Sequence, residues 1–203
     1  MEIFRNEHGD LIDMSVYERD EQIFANKYIT EDCVVLELGA RYGAVSCIIN
    51  KKINNPSNQV SVEPDERVWA ALEDNMLRSD CEFSIVKGMI SRRPMGLHLA
   101  GSATTAFHTE FSNIPYYTFE EIESKYGLKF DTLVADCEGF LEIFFDENPK
   151  LYDQLNLIIM EKDYPQKCNY AKLAEQFKKN GFVLLESKQY AKSPVSLDVW
   201  KKV

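Results

Sequence analysis

Basic residues are scarce in this sequence of 203 residues. Lys and Arg together number 23 against 33 Asp and Glu, which gives a formal net charge of −10. Nucleic acids and anionic membrane surfaces attract proteins through clustered positive charge, and the composition offers no such excess. We therefore expect no nucleic acid partner and no binding to an anionic membrane surface.

Cysteine pairs and long apolar stretches are also lacking. The five cysteines are odd in number, and none stands at C-x-x-C spacing from another. This pattern argues against a disulfide framework or a zinc knuckle and favours a reducing, cytoplasmic compartment. The N-terminal residues are polar and acidic, unlike a secretory signal, and every apolar run is too short to span a bilayer. We expect an intracellular protein without a membrane span.

Short apolar runs alternate with amphipathic stretches along most of the chain. Such alternation is typical of a mainly parallel sheet with helices on both faces. The last two strands follow one another without a helix, which predicts a terminal antiparallel hairpin. The predicted fold class is therefore α/β, with a doubly wound, mostly parallel seven-stranded sheet. The predicted strands are 34–38, 59–64, 82–90, 131–136, 155–163, 182–188 and 196–203, and the predicted helices are 15–29, 44–52, 65–79, 117–127 and 169–181.

A single domain accounts for the whole length, 1–203, because two domains of this total size would have small cores. Residues 1–30 are expected to form a helical N-terminal extension, with Ser15 and Glu18 as a capping box. Most of 91–116 shows no clear period. This segment is predicted to be irregular and to recognise the substrate.

Doubly wound sheets bind ligands beyond the carboxyl ends of their strands, so the residues that follow each strand are candidate site residues. The first turn reads ELGARYG and spans 37–43. Gly39 permits a tight turn and a close approach of a ligand, and Gly43 permits close packing at the helix start. Glu37 can accept from a ligand ammonium or orient the loop. The middle glycine of G-x-G-x-x-G is missing, which disfavours a dinucleotide cradle, and a plain strand-to-helix turn is the alternative.

The second and third strand ends extend this candidate pocket. Glu63 closes the second strand 24 residues after Gly39 and is followed by Pro64. An acid at this place in a doubly wound sheet accepts from ribose hydroxyls. Gly88 and Met89, at the third strand end, could flank an adenine ring with polarizable apolar walls. Together these residues favour a nucleoside-containing cofactor. The alternatives are that Glu63 is a solvated carboxylate and that the residues at the third strand end belong to the ordinary core.

Acidic residues follow the fourth and fifth strands. In LVADCEGF, Asp136 and Glu138 are predicted to point one way and Cys137, a small buried residue, the other. In MEKD, Glu161 and Asp163 follow the fifth strand. If the two strands are neighbours, the four carboxylates gather in one patch. Such a patch could hold a divalent ion, hold the cationic end of a cofactor or act as a general base, and solvated carboxylates are the alternative.

Five blocks of the chain together resemble the FkbM-type methyltransferases. The blocks are VVLELGARYGAVSCII, QVSVEPDERVWAALEDN, YYTFEEI, FDTLVADCEGFLEIFF and LNLIIMEKD. They lie within residues 33–185, and the D-C-E-G block is the most specific of them. The resemblance implies a Rossmann-like class I methyltransferase fold with S-adenosylmethionine (SAM) as cofactor. It also implies O-methylation, often of a sugar hydroxyl, and hence a small-molecule or glycan acceptor.

The resemblance also implies roles for individual residues. Gly39, Ala40 and Gly43 are expected to line the methionine part of SAM, and Glu63 is expected to bind the ribose. Asp136 is expected near the methionyl end of the cofactor and the reacting centre. The two acids that follow the fourth strand thus form the predicted centre of the site.

Methylation of a sugar hydroxyl needs a group that takes the hydroxyl proton, because a neutral hydroxyl is a poor nucleophile. The candidates are Asp136, Glu138, Glu161 and the loop histidines His98 and His108. Glu138 is also expected to shape the site. The methyl donor is already activated, so the protein mainly supplies orientation, which can contribute about 7–11 kcal/mol.

Some related sugar methyltransferases use a divalent metal. This adds the expectation of Mg²⁺ or Mn²⁺ at Asp136, Glu161 and Asp163. Two other functions are compatible with the same fold: an NAD-type oxidoreductase, and a non-catalytic SAM-binding or scaffold module.

Overall fold

The structure is a computed structural model that describes residues 3–100, 103–107, 114–190 and 193–203. Its centre is a seven-stranded sheet, whose strands we number along the chain. They are β1 Val35–Leu38, β2 Gln59–Glu63, β3 Ser84–Lys87, β4 Thr132–Ala135, β5 Leu157–Lys162, β6 Phe182–Gln189 and β7 Ser196–Lys202. The α-helices are α1 Arg19–Tyr28, α2 Ala44–Lys52, α3 Trp69–Arg78, α4 Phe119–Tyr126, α5 Leu141–Glu147, α6 Leu151–Gln154 and α7 Tyr170–Lys179.

The strands of this sheet lie in the order β3-β2-β1-β4-β5-β7-β6. The first five strands in this order, which are β3, β2, β1, β4 and β5, run parallel to one another. Strand β7 is antiparallel to β5, and β6 is antiparallel to β7. The predicted doubly wound, mostly parallel seven-stranded sheet with a terminal antiparallel hairpin is thus confirmed. The strand order changes direction between β1 and β4, which is where folds of this class bind their ligands.

Apolar clusters cover both faces of the sheet. Leu36 and Leu133 lie in the larger cluster on one face, and Val35 and Val134 lie in a second cluster on the other. Because side chains alternate along a strand, a strand that is buried on both faces needs an unbroken apolar run. The short apolar runs of the sequence therefore become the central strands.

The N-terminal extension contains a strand pair as well as a helix. Phe4–Arg5 and Leu11–Ile12 form a short antiparallel pair before α1. Phe24 and Ala25 then anchor α1 in the second apolar cluster. Of the helices in the described ranges, none is long and apolar enough to cross a membrane.

Helix α1 begins later than the predicted 15–29, and the predicted capping box does not form. Ser15 Oγ donates to Asp13 Oδ1 at 2.6 Å, so a local turn takes up this side chain. Glu18 has a φ of 46°, and its side chain makes no cap hydrogen bond to the helix that begins at Arg19. The capping-box prediction was therefore wrong because a side-chain bond to the preceding residues competed with it. Helix α3 also begins later than predicted.

Gly88 divides the predicted third strand. Strand β3 ends at Lys87, and Met89–Ile90 pairs instead with Tyr116–Tyr117 in a separate two-stranded sheet. Gly88 has a φ of 151°, and a Cβ built on it would lie 2.3 Å from the Pro115 carbonyl oxygen. The chain thus leaves the main sheet at a position that suits glycine alone.

The segment predicted to be irregular contains an antiparallel hairpin, in which Gly96–Ala100 pairs with Ala103–Phe107. The sequence HLAGSATTAF has small and polar residues in place of the branched apolar residues that mark strands. That composition explains why the prediction was wrong. His98 lies in the first strand of the hairpin, and His108 lies outside the described residues.

Candidate active site

The turn after β1 brings three backbone segments together at the sheet edge. Gly39 has a φ of 91°, and a Cβ built on it would lie 1.7 Å from the backbone oxygen of Asp136. Gly39 N donates to Val62 O at 2.9 Å, and Asp136 N donates to Leu38 O at 3.0 Å. The glycine predicted from the motif is needed here because the backbone after β4 occupies the space of a side chain.

Glu63 holds this turn against the end of β2. Its Oε2 accepts from Arg41 N at 2.6 Å, and its Oε1 accepts from Asp65 N at 2.7 Å. The residue is only 4% exposed, and burial raises the pKa of its carboxyl to about 7. Glu63 therefore orders two loops at the sheet edge and also faces the cleft described next.

A cleft opens beyond the carboxyl ends of β1 to β4. The predicted cofactor residues that line it are Gly39, Glu63, Pro64, Gly88, Met89 and Asp136. The other lining residues are Leu38, Arg41, Val62, Ile90, Leu97, Cys137, Glu138 and Phe140. Leu97 and Phe140 were not predicted because no motif marks an apolar wall, and Arg41 was not predicted because it stands at an unmarked position of the ELGARYG turn.

Two of the predicted cofactor residues lie behind the cleft. Ala40 is buried in an apolar cluster with Cys47 and Leu72. Gly43 packs beside Leu72, whose Cδ1 would lie 2.9 Å from a Cβ built on the glycine. Both residues support the turn from its core side and do not line the cleft.

Glu37 also lies away from the cleft. It shares the strand face of Val35, and its Oε2 accepts from Ser46 Oγ at 2.6 Å and from Ser61 Oγ at 2.5 Å. Burial raises the pKa of this carboxyl to about 7. Glu37 lines a small separate cavity with Val45 and other residues. Its predicted role in orienting the loop is compatible with these bonds, whereas contact with a ligand in the cleft is not.

The predicted acidic patch is present and has an additional member. Carboxylate oxygens of Glu21, Asp136 and Glu161 lie within 4.8 Å of one another. We call these residues the cavity group, because all three line a second cavity that is described below. Carboxylate oxygens of Asp136, Glu138 and Asp163 are equally close, and we call these residues the cleft group. The predicted metal ligands Asp136, Glu161 and Asp163 therefore divide between two groups that share Asp136. A metal site stays a prediction.

The additional member, Glu21, comes from helix α1. Phe24 and Ala25 bury one face of α1, and this packing carries Glu21 to the sheet edge. Tyr190 Oη donates to Glu21 Oε1 at 2.8 Å and links α1 to the end of β6. The sequence offered only an acidic first helical turn, which is common at helix starts and points to no site.

The chain turns sharply after β4. Strand β4 ends at Ala135, and Asp136, Cys137 and Glu138 all line the cleft. Positive φ angles of 55° at Glu138 and 83° at Gly139 make the turn. Cys137 nevertheless packs against the larger apolar cluster, whereas carboxylate oxygens of Asp136 and Glu138 lie within 4.8 Å of one another, which agrees with the predicted arrangement of the three side chains. Burial raises the pKa of the Cys137 thiol well above the usual range, which fits a packed residue better than a nucleophile.

The carboxyls of Asp136, Glu138 and Glu161 have raised pKa values. Burial is the largest cause for each of them, because removal from water disfavours the charged form. The charges of neighbouring carboxylates raise each pKa further; for Asp136 these come from Glu21 and Asp163. The patch therefore retains protons at pH values where isolated carboxyls are ionised.

Two carboxylate oxygens of the patch are buried without a hydrogen-bond partner among the described residues. They are Asp136 Oδ1 and Asp163 Oδ2. Asp163 Oδ1, by contrast, accepts from Tyr170 Oη at 2.9 Å and from Tyr164 N at 2.8 Å. Leaving a buried acceptor unpaired costs about 1–3 kcal/mol. A proton, a cation or a ligand donor is expected at these two oxygens.

Asp136 stands between the cleft and a second cavity of about 500 Å³. We call this second space the acidic cavity. It is lined by Val16, Glu18, Arg19, Asp20, Glu21, Asp136, Glu161 and Tyr190. Asp136 therefore lines both the cleft and the acidic cavity.

The acidic patch predicts an unusual pH dependence of stability. Folding raises the pKa of Glu161, so the folded state binds more protons, and this contribution to stability is lost as pH rises. Glu161→Gln removes a carboxyl that must take up a proton on folding, and it keeps the side-chain size. At pH 8 the variant should be more stable than the wild type by about 1–2 kcal/mol. For a chain of this length each kcal/mol corresponds to a rise in Tm of roughly 2–4 °C. The gain should shrink at pH 5.

Thermal unfolding of the ligand-free protein at both pH values checks this expectation. Glu175→Gln, a change at an exposed carboxylate of α7, is the matched control and should leave Tm unchanged. A Glu161→Gln variant that is less stable than the wild type at pH 8 would show that Glu161 is charged and compensated in the folded protein.

The comparisons with known proteins give structural likeness only. Neither a protein-family model nor a curated protein matches the sequence. The structure is similar to that of an rRNA methylase from Streptococcus thermophilus, with a TM-score of 0.61 and 8% identity over 91% of this chain and 95% of that one. It is similar to a precorrin-6y C5,15-methyltransferase from Geobacter metallireducens, with a TM-score of 0.55 and 14% identity over 90% and 87%.

A third similar structure is a ribosomal protein L11 methylase from Lactobacillus delbrueckii subsp. bulgaricus, with a TM-score of 0.54 and 15% identity over 92% of this chain and 79% of that one. At such identities the likeness establishes the fold. The chain has the Rossmann-like fold of class I methyltransferases, as the resemblance implied. Membership of the FkbM-type family stays a prediction.

Proposed function

We propose that this chain is a SAM-dependent methyltransferase that methylates a hydroxyl group of a sugar or a similar small acceptor. One observation carries the proposal: Asp136 lines both the cleft and the acidic cavity and has a buried oxygen without a partner in the described part of the chain. A methyl donor in the cleft and an acceptor in the cavity would meet at this carboxylate.

The cleft has the features that a nucleoside cofactor requires. Glu63 lies at the end of β2, and each of its oxygens accepts one backbone N–H, which leaves acceptor positions for ribose hydroxyls. Met89, Ile90 and Leu97 give an apolar wall for an adenine ring. Gly39 lines the cleft where the methionine part would lie. These contacts support SAM as the cofactor.

Asp136 is the proposed general base. SAM would supply a methyl group that is already activated on a positively charged sulfur. Burial and the neighbouring carboxylates raise the pKa of Asp136, and a general base works best when its pKa lies near the working pH. Asp136 Oδ1 has no donor in the described residues and can take the proton of an acceptor hydroxyl. The charges of Glu21 and Asp163 help to hold the pKa of Asp136 at this raised level.

Several features favour a small acceptor over a nucleic acid. The formal charge of −10 repels a polyanion, and carboxylates surround the proposed acceptor cavity. The hairpin within the segment 91–116 begins beside the cleft, where Leu97 forms part of its wall. This segment is the proposed recognition element, and its aromatic Tyr116 is 47% exposed and available to stack on a sugar ring.

An NAD-type oxidoreductase fits the cleft less well. In G-x-G-x-x-G the middle glycine lets the pyrophosphate approach the backbone, and Arg41 occupies that position after Gly39. The Arg41 guanidinium lies 4.9 Å from the centre of the Tyr42 ring and lines the cleft. A non-catalytic scaffold would not need a cluster of carboxyls with raised pKa values, because such a cluster destabilises the empty fold.

Methyl transfer to a panel of sugars and glycans tests the proposal. With SAM present, mass spectrometry should find a product heavier than its acceptor by one methylene unit. The same assay with a chelator tests the predicted metal site: loss of product that Mg²⁺ or Mn²⁺ restores supports this site, and an unchanged yield contradicts it. Absence of a methylated product from every hydroxylated acceptor would contradict the proposed reaction.

A further inference from the structure

The acidic cavity has a strong excess of negative charge. Its lining contains one cationic side chain, Arg19, and the carboxylates Glu18, Asp20, Glu21, Asp136 and Glu161. Asp20 is already paired with Lys188 at 2.6 Å. Within the described ranges, no cation is among the main causes of the pKa shifts of the cavity group.

An independent observation points to a ligand at the same place. Asp136 Oδ1 is buried and has no donor within the described residues, although Tyr190 Oη satisfies Glu21 beside it. A buried carboxylate oxygen needs a proton or a positive partner. No described hydrogen-bond donor reaches Asp136 Oδ1, so this oxygen is the position that a donor of an entering ligand can take.

The dimensions of the cavity favour a small organic cation over a bare ion. A volume of about 500 Å³ lies within the range of small-molecule sites, about 300–1,000 Å³. The carboxylate oxygens of the cavity group lie within 4.8 Å of one another, so one ammonium can reach more than one of them. An ammonium has three donors and forms short, charge-assisted hydrogen bonds with carboxylates.

We propose that the acceptor is an amino alcohol, such as an amino sugar. Its ammonium group binds Glu21 and Glu161, and a hydroxyl group on the adjacent carbon reaches Asp136. This inference rests on the proposed function and names the substrate class of that site. A neutral sugar would form no charge-assisted hydrogen bonds with the two glutamates, and a phosphorylated sugar would be repelled, so the cavity selects for the amine.

Isothermal titration calorimetry tests this inference with matched pairs of ligands. Glucosamine and galactosamine are titrated into the protein with and without S-adenosylhomocysteine, and N-acetylglucosamine and N-acetylgalactosamine serve as their uncharged partners. The acetylated compounds lack the charge-assisted hydrogen bonds, so the protein should bind them at least about tenfold more weakly than the amines. Titrations in buffers of different ionisation enthalpy should also reveal proton release when the amines bind, because a cation favours the ionised carboxylates.

Variants assign the effect to the cavity. Glu161→Gln should remove most of the preference for the amine, and Glu21→Gln should do the same, whereas Glu175→Gln should retain it. Both cavity variants keep the size of the side chain. Their Tm values, measured alongside, identify any loss that comes from unfolding.

Several results would overturn the inference. These are equal binding of amine and N-acetyl forms, tighter binding of the N-acetyl forms, and no detectable binding of either amine. Displacement of the amines by Mg²⁺ or Mn²⁺ alone, with loss of that metal binding in Glu161→Gln, would assign the cavity group to a metal and would also overturn it. Failure to bind S-adenosylhomocysteine counts against the proposed function, whereas cofactor binding without a preference for amines counts only against this inference.

Discussion

Asp136→Asn should lower kcat for methyl transfer by about 10²–10⁴-fold, the range that a positioned general base contributes. The amide keeps the size of the side chain but cannot take the proton of an acceptor hydroxyl. Binding of S-adenosylhomocysteine should change little, because the amide leaves Glu63 and the apolar wall of the cleft intact. Steady-state kinetics with an identified acceptor, together with calorimetry, separate the two effects.

The matched control for this prediction is Asp153→Asn, at an exposed aspartate near the end of α6. It should retain wild-type turnover. Near-normal kcat in Asp136→Asn would refute the proposed role of Asp136. A fall in kcat that is matched by an equal loss of cofactor binding would assign Asp136 to the cofactor instead.

Gly39→Ala should destabilise the folded protein by about 2–5 kcal/mol, through backbone strain at positive φ combined with a severe clash. The added Cβ would lie 1.7 Å from the Asp136 backbone oxygen, so the turn after β1 must move away from β4. The variant should also lose affinity for the cofactor, because the displaced turn forms part of the cleft. Denaturant unfolding measures the first effect, and calorimetry measures the second.

The control variant Gly127→Ala separates the effect of backbone strain at positive φ from the effect of a steric clash of the added Cβ. Gly127 has a φ of 66°, but a Cβ built on it would meet nothing within 4 Å. This control should cost only about 1–2 kcal/mol, the penalty of the left-handed conformation alone, and should leave the cofactor site intact. Equal losses of stability in the two variants would contradict the close approach of Gly39 to the chain after β4.

The sequence predicted the parts of the site that depend on local pattern. Apolar runs located the strands, and parallel strands place their carboxyl ends at one edge, so the amino-acid pattern alone assigned Gly39, Glu63 and Asp136 to one cleft. The sequence left the adjacency of β4 and β5 as a condition, and the structure shows that the two strands are neighbours and that Asp136 and Glu161 lie close together.

The remainder depends on contacts between distant parts of the chain. Glu21 reaches the acidic patch only because Phe24 and Ala25 dock α1 on the second apolar cluster, and no motif encodes that docking. The two strands of the hairpin within 91–116 contain mostly small and polar residues, so their hydrophobic signal was weak.

Titration of S-adenosylhomocysteine into the purified protein, with NAD as the parallel ligand, tests the central claim most directly. The proposed function predicts saturable calorimetric binding of S-adenosylhomocysteine at one site per chain, which Gly39→Ala abolishes, and no saturable binding of NAD. Binding of NAD without binding of S-adenosylhomocysteine would contradict it.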